Sequence, residues 1–254
     1  SDVYKRQGVD SANLAAIQSA LASSAITGTL ADTTTEVQTL VDAFNRILAE
    51  ANGTAADGTG NDPTVADYQA IGVSLGATAT NVSGLALLND SLGTQTTANV
   101  DSVAELNTLA ATVNSLLTTA AGNTGSPVLT AADLAQLGLT GLTDSAMAVF
   151  LQLVAATDDD GSGIASLSQL QTLANTAMAR AEALGTLASY AQANAAINGL
   201  AVPSATTYST AGVTLPSVAG LSTTQVAQAL NSALLTASVN GAAADSTAEV
   251  QALA

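Results

Sequence analysis

One short segment of the chain carries side chains whose types and spacing could do chemistry. Residues 157–169 read Thr-Asp-Asp-Asp-Gly-Ser-Gly-Ile-Ala-Ser-Leu-Ser-Gln. Counted from the first of these aspartates, oxygen-bearing side chains stand at the first, third, fifth, ninth and twelfth positions of an EF-hand loop, with glycine at the sharply turned sixth position. Because Ca²⁺ takes such oxygen ligands, the spacing predicts a calcium loop. Its five predicted metal ligands are Asp158, Asp160, Ser162, Ser166 and Gln169.

Two positions weaken this calcium loop. Gln169 offers one neutral carbonyl oxygen where an EF-hand has a bidentate Glu, and Ala165 stands where a larger aliphatic residue is usual. No second loop is visible to pair with it, so the predicted affinity is low, about 10⁻⁴–10⁻³ M. The alternative is a solvated acidic turn that caps the following helix, since aspartates are favourable near a helix N-terminus.

Other chemistry finds no support in the composition. The chain contains no His and no Cys, which excludes zinc sites and the usual nucleophile–base pairs. The oxygen-rich segment 57–62 lacks ligand spacing and is predicted to be a turn. Glu36, Glu105 and Glu249 lie in helix-capping positions far apart in the sequence. We therefore expect no enzyme.

The charge balance restricts the possible partners. The net charge is −16, from 20 acidic and 4 basic residues, and phosphate binding needs clusters of Lys and Arg. We expect no nucleic-acid binding, and no membrane insertion because no run of 18 apolar residues is present. The mean hydropathy of +0.37 reflects abundant Ala. Arg180 is expected to snorkel or to pair with Glu182 or a neighbouring acid, and Tyr68, Tyr190 and Tyr208 are expected to pack in the core or at its rim.

The elements that would position these residues are marked by a repeated helix-start signal. A Ser/Thr-x-x-Glu/Gln box predicts reciprocal capping of a new helix. It occurs at Thr33–Glu36, Ser102–Glu105, Ser166–Gln169 and Ser246–Glu249. Apolar residues follow the first two boxes at identical offsets and with helical rather than alternating spacing, so strands are not expected.

A second landmark divides the chain into copies of one unit. Glycines followed by an apolar residue, at positions 8, 72, 138 and 212, lie 64, 66 and 74 residues apart. Each interval is predicted to hold a first helix, a long capped helix (33–51, 102–121 and 166–198) and a short helix that ends at the next glycine. The expected fold is all-α, built of tandem three-helix repeat modules in an extended array. The predicted copies are 8–72, 73–138, 139–212 and a truncated 213–254.

The first seven residues differ in character from the rest. Ser1-Asp-Val-Tyr-Lys-Arg-Gln7 resembles the translated end of a transposon adapter used in sequencing. We hypothesise that 1–7 are non-native, which would leave 2 bases against 19 acids, a net charge of −17. The last predicted helix stops partway at Ala254, so both ends are expected to be cuts from a longer chain.

Two segments of the first copy carry a family resemblance. Asp32-Thr-Thr-Thr-Glu-Val-Gln-Thr-Leu-Val-Asp42 and Asp62-Pro-Thr-Val-Ala-Asp-Tyr-Gln-Ala-Ile-Gly-Val73 resemble the helical tandem repeats of very large bacterial surface and secreted, adhesin-like proteins. The resemblance covers nearly all of 8–254 and is weakest in 74–100 and 138–200. It implies surface exposure and tandem extension, and it supplies no catalytic residues.

These observations predict a non-catalytic spacer or stalk of a large bacterial surface or secreted adhesin-like protein. Its partners would be adjacent repeats of the same chain and an extracellular surface or receptor, and its localisation would be extracellular or on the cell surface. The alternative is a calcium-binding adhesive module that uses the loop at 158–169, with Ca²⁺ as its only cofactor.

Overall fold

The computed structural model describes residues 8–54, 62–193, 199–236 and 239–254. These residues form helices, turns and loops; within them there is no strand, only one isolated bridge between Asn52 and Thr96. The predicted all-α class is confirmed. The helices are α1 (Leu14–Ala22), α2 (Thr34–Glu50), α3 (Val65–Ala70), α4 (Val82–Thr94), α5 (Val103–Ala120), α6 (Ala131–Leu137), α7 (Met147–Val154), α8 (Leu167–Gln192), α9 (Ala205–Thr210), α10 (Thr223–Leu234) and α11 (Thr247–Leu253).

The helices follow one another in a recurring order of lengths. A helix of intermediate length is followed by a 3₁₀ turn, a longer helix and a short helix, and then by a glycine. The 3₁₀ turns are Gly28–Leu30, Thr97–Asn99, Ser162–Ile164 and Gly241–Ala243, and they precede α2, α5, α8 and α11. The predicted long-helix ranges agree with α2 and α5. The helix predicted over 166–198 ends at Gln192, and 194–198 lie outside the described residues.

Three of the four predicted capping boxes are present. Thr33 Oγ1 accepts the N–H of Glu36 at 3.2 Å, and Glu36 accepts the N–H of Thr33 at 2.9 Å. The boxes at the starts of α5 and α11 have the same reciprocal bonds. Such a cap contributes about 1 kcal/mol and satisfies two amides that the helix itself cannot pair.

The box at the start of α8 is incomplete, contrary to the sequence prediction. Ser166 Oγ accepts the N–H of Gln169 at 3.3 Å, but the Gln169 amide nitrogen donates to the Ser162 carbonyl instead of completing the box. A carboxylate from another helix takes part in the cap: the N–H of Leu167 donates to Asp90 Oδ2 at 2.6 Å. Asp90 lies in α4 and is buried, so α8 starts from an interhelical cap.

The short helices have capping boxes of their own and end in left-handed glycines. Thr64 pairs with Asp67, Thr130 with Asp133 and Ser204 with Thr207. Gly72, Gly138 and Gly212 have φ values of 86°, 114° and 82°, which only glycine adopts without strain. The residue after each glycine donates its N–H to the carbonyl five residues earlier, as Val73 does to Tyr68 at 2.9 Å. Each short helix therefore ends in a Schellman motif.

The chain forms two compact bodies, and it passes from one to the other after Leu142, within α7 and within α8. The first contains residues up to Leu142 together with Leu151–Leu173. In it α2 packs against α3 and α4, and α1 contacts both α2 and α5. The N–H of Val103 donates to Ser19 Oγ at 3.1 Å, which joins the predicted copies 8–72 and 73–138. These two copies therefore pack directly on each other.

The second body contains Thr143–Phe150 and Ala174–Ala254. Its core brings together buried side chains from α8, α9, α10 and α11: Leu184, Leu187, Tyr190, Tyr208, Leu230, Leu234 and Val250. Aliphatic residues and alanine fill most of this core, as expected for a chain that is 2% aromatic.

The apolar face predicted for the first helices is only partly buried. In α4, Leu88 and Leu92 are buried, but Val82, the first residue of the helix, is 86% exposed. In α1 the buried residues are Ala16, Ile17 and Ala20. The apolar spacing therefore predicted the helix correctly, but the buried face is slightly rotated from the predicted one.

Candidate functional site

The acidic loop before α8 forms one tight turn centred on Ser162. The Ser162 N–H donates to Asp160 Oδ1 at 2.9 Å, and its hydroxyl donates to Asp158 Oδ2 at 3.4 Å. Hydrogen bonding to Ser162 holds the pKa of Asp160 below its usual value, and the backbone N–H is the larger cause. Three of the five predicted ligands thus lie close together.

The remaining two predicted ligands lie at the start of α8 and contact the loop in a different way. Gln169 Oε1 accepts from Ser166 Oγ at 3.3 Å, and its Nε2 donates to the Ser162 carbonyl at 3.1 Å. Gln169 therefore presents a donor to the loop, where an EF-hand presents a carboxylate to the ion.

The glycine turn also differs from the predicted loop. The left-handed residue is Gly161, with φ of 78°, whereas the EF-hand pattern requires a turn at Gly163. Gly163 is instead packed against Thr157: a Cβ there would lie 2.7 Å from the Thr157 Cβ. The sharp turn is therefore two residues earlier than the sequence pattern predicts.

Contacts with α4 and α5 fix the loop in place. Asn81 Nδ2 donates to the Asp160 carbonyl at 3.0 Å, and a Cβ added at Gly161 would lie 2.6 Å from the Leu117 side chain. Within the described ranges, no group of three or more acidic side chains is arranged to hold a metal ion. The loop aspartates bond to Ser162, whereas the amides at the start of α8 bond to Ser166 and Asp90, so calcium binding and the capping turn both stay predictions.

Two other sequence predictions concern residues that are not described. The adapter-like segment 1–7 and all of the oxygen-rich segment 57–62 except Asp62 lie outside the described residues.

The carboxylates of the boxes act as helix caps. The pKa of Glu36 is lowered chiefly by the Thr33 hydroxyl and N–H, and that of Glu249 chiefly by the Ser246 hydroxyl. Asp32 and Asp245, one residue before each box, hydrogen-bond to these glutamates, and this contact raises the pKa of both aspartates. Asp32, Asp245 and Glu249 are exposed and Glu36 is half-buried, and both glutamates accept from the hydroxyl of their own capping residue.

A set of side-chain amides, which the boxes alone do not predict, pairs with the backbone after each glycine. The residue two places after the glycine donates its N–H to an amide on the following long helix: Ser74 to Asn107 at 2.8 Å, Thr140 to Gln171 at 3.0 Å and Thr214 to Gln251 at 2.7 Å. Both glutamines also donate back to the carbonyl of the same residue, at 2.9 and 3.0 Å. We call these contacts the amide clamps. Their sequence signal is Gln or Asn five residues after the capping hydroxyl.

A second recurring contact is a buried tyrosine–asparagine pair. Tyr68 donates its hydroxyl to Asn89 Oδ1 at 2.8 Å, and Asn89 Nδ2 donates to the Pro63 carbonyl at 3.0 Å. The second body repeats this network with Tyr208, Asn231 and Pro203, at 2.6 and 2.8 Å. Burial raises the pKa of Tyr68 well above its usual value. The predicted packing role of both tyrosines is confirmed, and their signal is an Asn interrupting the apolar face of the following helix.

The two described arginines have different partners. Arg46 Nη1 lies 2.9 and 3.2 Å from the two carboxylate oxygens of Asp67. Arg180 forms no ion pair with any described residue, so of its two predicted roles the pairing with Glu182 or a neighbouring acid is absent there. Its guanidinium lies against Gly212, where an added Cβ would be 2.9 Å from Arg180 Cζ, and its buried Nε has no acceptor.

Comparisons of the chain with protein-family models, curated proteins and solved structures gave no match. Among the described helices, none combines the length and apolar character required to cross a bilayer.

Proposed function

We propose that the chain is a structural spacer: tandem three-helix repeats that hold other parts of a large bacterial surface or secreted adhesin-like protein at a distance. One observation carries the proposal. The same set of contacts recurs along the chain: a capped long helix, a capped short helix, a left-handed glycine and an amide clamp. These contacts stabilise helices and their connections, and none of them creates a reactive group.

The packing within the first body supports a repeat array. A single short unit buries little surface, and repeat proteins gain stability from contacts between neighbours. The contacts of α2 with α4 and of α1 with α5 are of this kind. The partners of this chain would accordingly be adjacent repeats, together with an extracellular surface or receptor reached by the rest of the protein.

Small-angle X-ray scattering of the full chain tests the spacer. A helix of about 20 residues is roughly 30 Å long, so nearly four modules in line would reach on the order of 100 Å, with a radius of gyration of about 30 Å. A globular chain of this length would instead have a radius of gyration of about 18 Å. A value near the globular figure would contradict the extended array.

An alternative function is a calcium-binding adhesive module. The observation in its favour is that the carboxylates of Asp158 and Asp160 both contact Ser162. Ligand binding to the folded state raises the melting temperature. A rise at millimolar Ca²⁺ that Asp158→Ala and Asp160→Ala abolish would establish this function. An unchanged melting temperature, with no heat in calorimetry, would leave the loop as a capping turn.

A further inference from the structure

The short helices contact the following predicted copy as well as their own. The hydroxyl of Tyr68 in α3 bonds to Asn89 in α4, and that of Tyr208 in α9 bonds to Asn231 in α10. In each case the tyrosine belongs to one predicted copy and the asparagine to the next. Both asparagines also bind the proline carbonyl that precedes the short helix, so one amide holds the start and the middle of that helix.

The amide clamps hold the other end of the same helices. Ser74, Thr140 and Thr214 follow the glycines that end α3, α6 and α9, and each is bonded to the next long helix. At the last of these, Thr247 Oγ1 of α11 also donates to the carbonyl of Ala211, the residue before the glycine, at 2.6 Å. These backbone groups lie outside regular structure and need side-chain partners. Both partners of each clamp belong to the copy that follows the short helix, so the clamp fixes the connection that leaves that helix, whereas the Thr247 bond crosses between copies.

The clamps are made of neutral groups. A side-chain amide carries N–H donors beside a carbonyl acceptor, and one donor with the acceptor reproduces the pair of a peptide group. Gln171 and Gln251 therefore bind the chain as an adjacent strand would. The shorter Asn107 makes one such bond. The first copy departs from the pattern: there the Gly8 carbonyl accepts from Asn45 and Asn13.

We propose that each short helix is a coupling element whose partner is the following copy of the same repeat, so that neighbouring copies open together. This inference rests on the proposed spacer function and specifies its interface: a buried Tyr–Asn pair, or its apolar equivalent, crosses between the copies, and an amide clamp within the following copy fixes the chain just after the glycine. At the α6 junction the tyrosine is replaced by Leu134. There the bond from the Leu167 N–H to Asp90 crosses between the copies, and the clamp of Gln171 fixes Thr140 just after the end of α6.

Hydrogen exchange of the full chain, read by mass spectrometry, tests the coupling with Gln171→Ala. Coupling predicts that the loss of these three hydrogen bonds accelerates exchange about tenfold not only at Thr140 but throughout α6, which belongs to the preceding copy. Gln171→Asn, which keeps the amide on a shorter side chain, should give a smaller acceleration over the same segment. The matched control is Gln228→Ala, because Gln228 is exposed in α10 and its side chain makes no described bond.

Two results would overturn the coupling. One is acceleration confined to the Thr140 segment with α6 unchanged, since the clamp would then only fix a local loop. The other is no acceleration in either variant. If Gln171→Ala does not fold, Gln171→Asn alone makes the same distinction. Scattering of the wild-type chain tests the spacer function independently of hydrogen exchange. An extended chain whose copies open separately would support the spacer and contradict the coupling. A compact chain whose copies open together would contradict the spacer and support the coupling.

Discussion

At the scale of single residues, the two described arginines occupy nearly equivalent turns of their helices but differ in what faces them. Arg46 is 13 residues after the cap of α2, and Arg180 is 14 residues after the cap of α8. Asp67 faces the first and stands five residues before Gly72. The position five residues before Gly212 is Thr207, so no carboxylate stands at the equivalent position near Arg180.

Introducing a carboxylate at position 207 should stabilise the protein. We expect Thr207→Asp to raise the free energy of unfolding by about 1 kcal/mol at neutral pH and low salt, because it supplies an acceptor to a guanidinium with a buried unpaired Nε. Thermal unfolding measures the change. The substitution also improves the cap of α9, so the control is the same change in an Arg180→Met background. An equal gain in both backgrounds would show that the ion pair contributes nothing.

The Arg46–Asp67 pair should make stability depend on pH. Burial alone would raise the pKa of Asp67, but hydrogen bonds from Thr64 and the charge of Arg46 outweigh it, and the pKa is lowered. A lowered carboxylate pKa stabilises the fold above the ordinary Asp value of about 3.8, and this stabilisation is lost as the pH falls through the lowered pKa. The difference in melting temperature between wild type and Asp67→Asn should therefore be positive at pH 7 and shrink as the pH falls below the ordinary Asp value of about 3.8. A difference that does not change with pH would mean that charge at Asp67 is unimportant.

The acidic loop shows what residue spacing could and could not predict. The spacing identified a turn that brings Asp158, Asp160 and Ser162 together, and the structure contains that turn. It could not predict which glycine takes the left-handed conformation, because that choice depends on packing against Leu117 and Thr157. Nor could it predict that Asp90, 77 residues away from Leu167, would supply the cap of α8.

At the scale of elements, local signals predicted the helices better than their contacts. Hydroxyl–carboxylate boxes and terminal glycines act within a few residues, so the starts and ends of α2, α5 and the short helices follow from the sequence. The amide clamps and the Tyr–Asn pairs join residues 21 to 37 positions apart. These contacts depend on how the helices pack. In the sequence each of them is marked only by a polar residue next to an apolar one, which does not identify its partner.

The buried network of α3 should be sensitive to the loss of one hydroxyl. We expect Tyr68→Phe to destabilise the protein by roughly 1–3 kcal/mol, since Asn89 Oδ1 then stays buried without its donor. Denaturant unfolding measures this cost. The double variant Tyr68→Phe with Asn89→Leu should cost less than the sum of the two single changes, because it removes both polar groups, as a leucine does at position 134. Additive costs would show that the two side chains do not interact.

At the scale of the whole molecule, the charge is unusually one-sided. A net charge of −16 opposes compaction through self-repulsion, and only one ion pair is formed among the described residues. We expect the melting temperature to rise between about 10 mM and about 200 mM NaCl, as screening shortens the range of the repulsion. Thermal unfolding at the two salt concentrations measures this effect. A falling melting temperature would mean that attractive charge pairs dominate.

Thermal unfolding in two divalent salts separates general charge screening from specific calcium binding. MgCl₂ and CaCl₂ at equal ionic strength should give the same melting temperature if the acidic loop is a capping turn. A higher value in CaCl₂ alone, lost in Asp160→Ala, would favour the calcium-binding alternative.

The distribution of the Tyr–Asn pairs bears on how a chain of similar segments avoids assembling incorrectly. Neighbouring segments of like sequence can exchange helices during folding, a recognised hazard of repeated proteins. Here Tyr68 and Tyr208 each meet an asparagine, whereas α7 contains no asparagine and the helix before it presents Leu134. If α3 docked on α7, it would bury a phenol with no asparagine to receive its proton, at a cost of about 1–3 kcal/mol. The difference between Tyr–Asn and apolar contacts therefore disfavours the docking of α3 on α7, which is an incorrect neighbour.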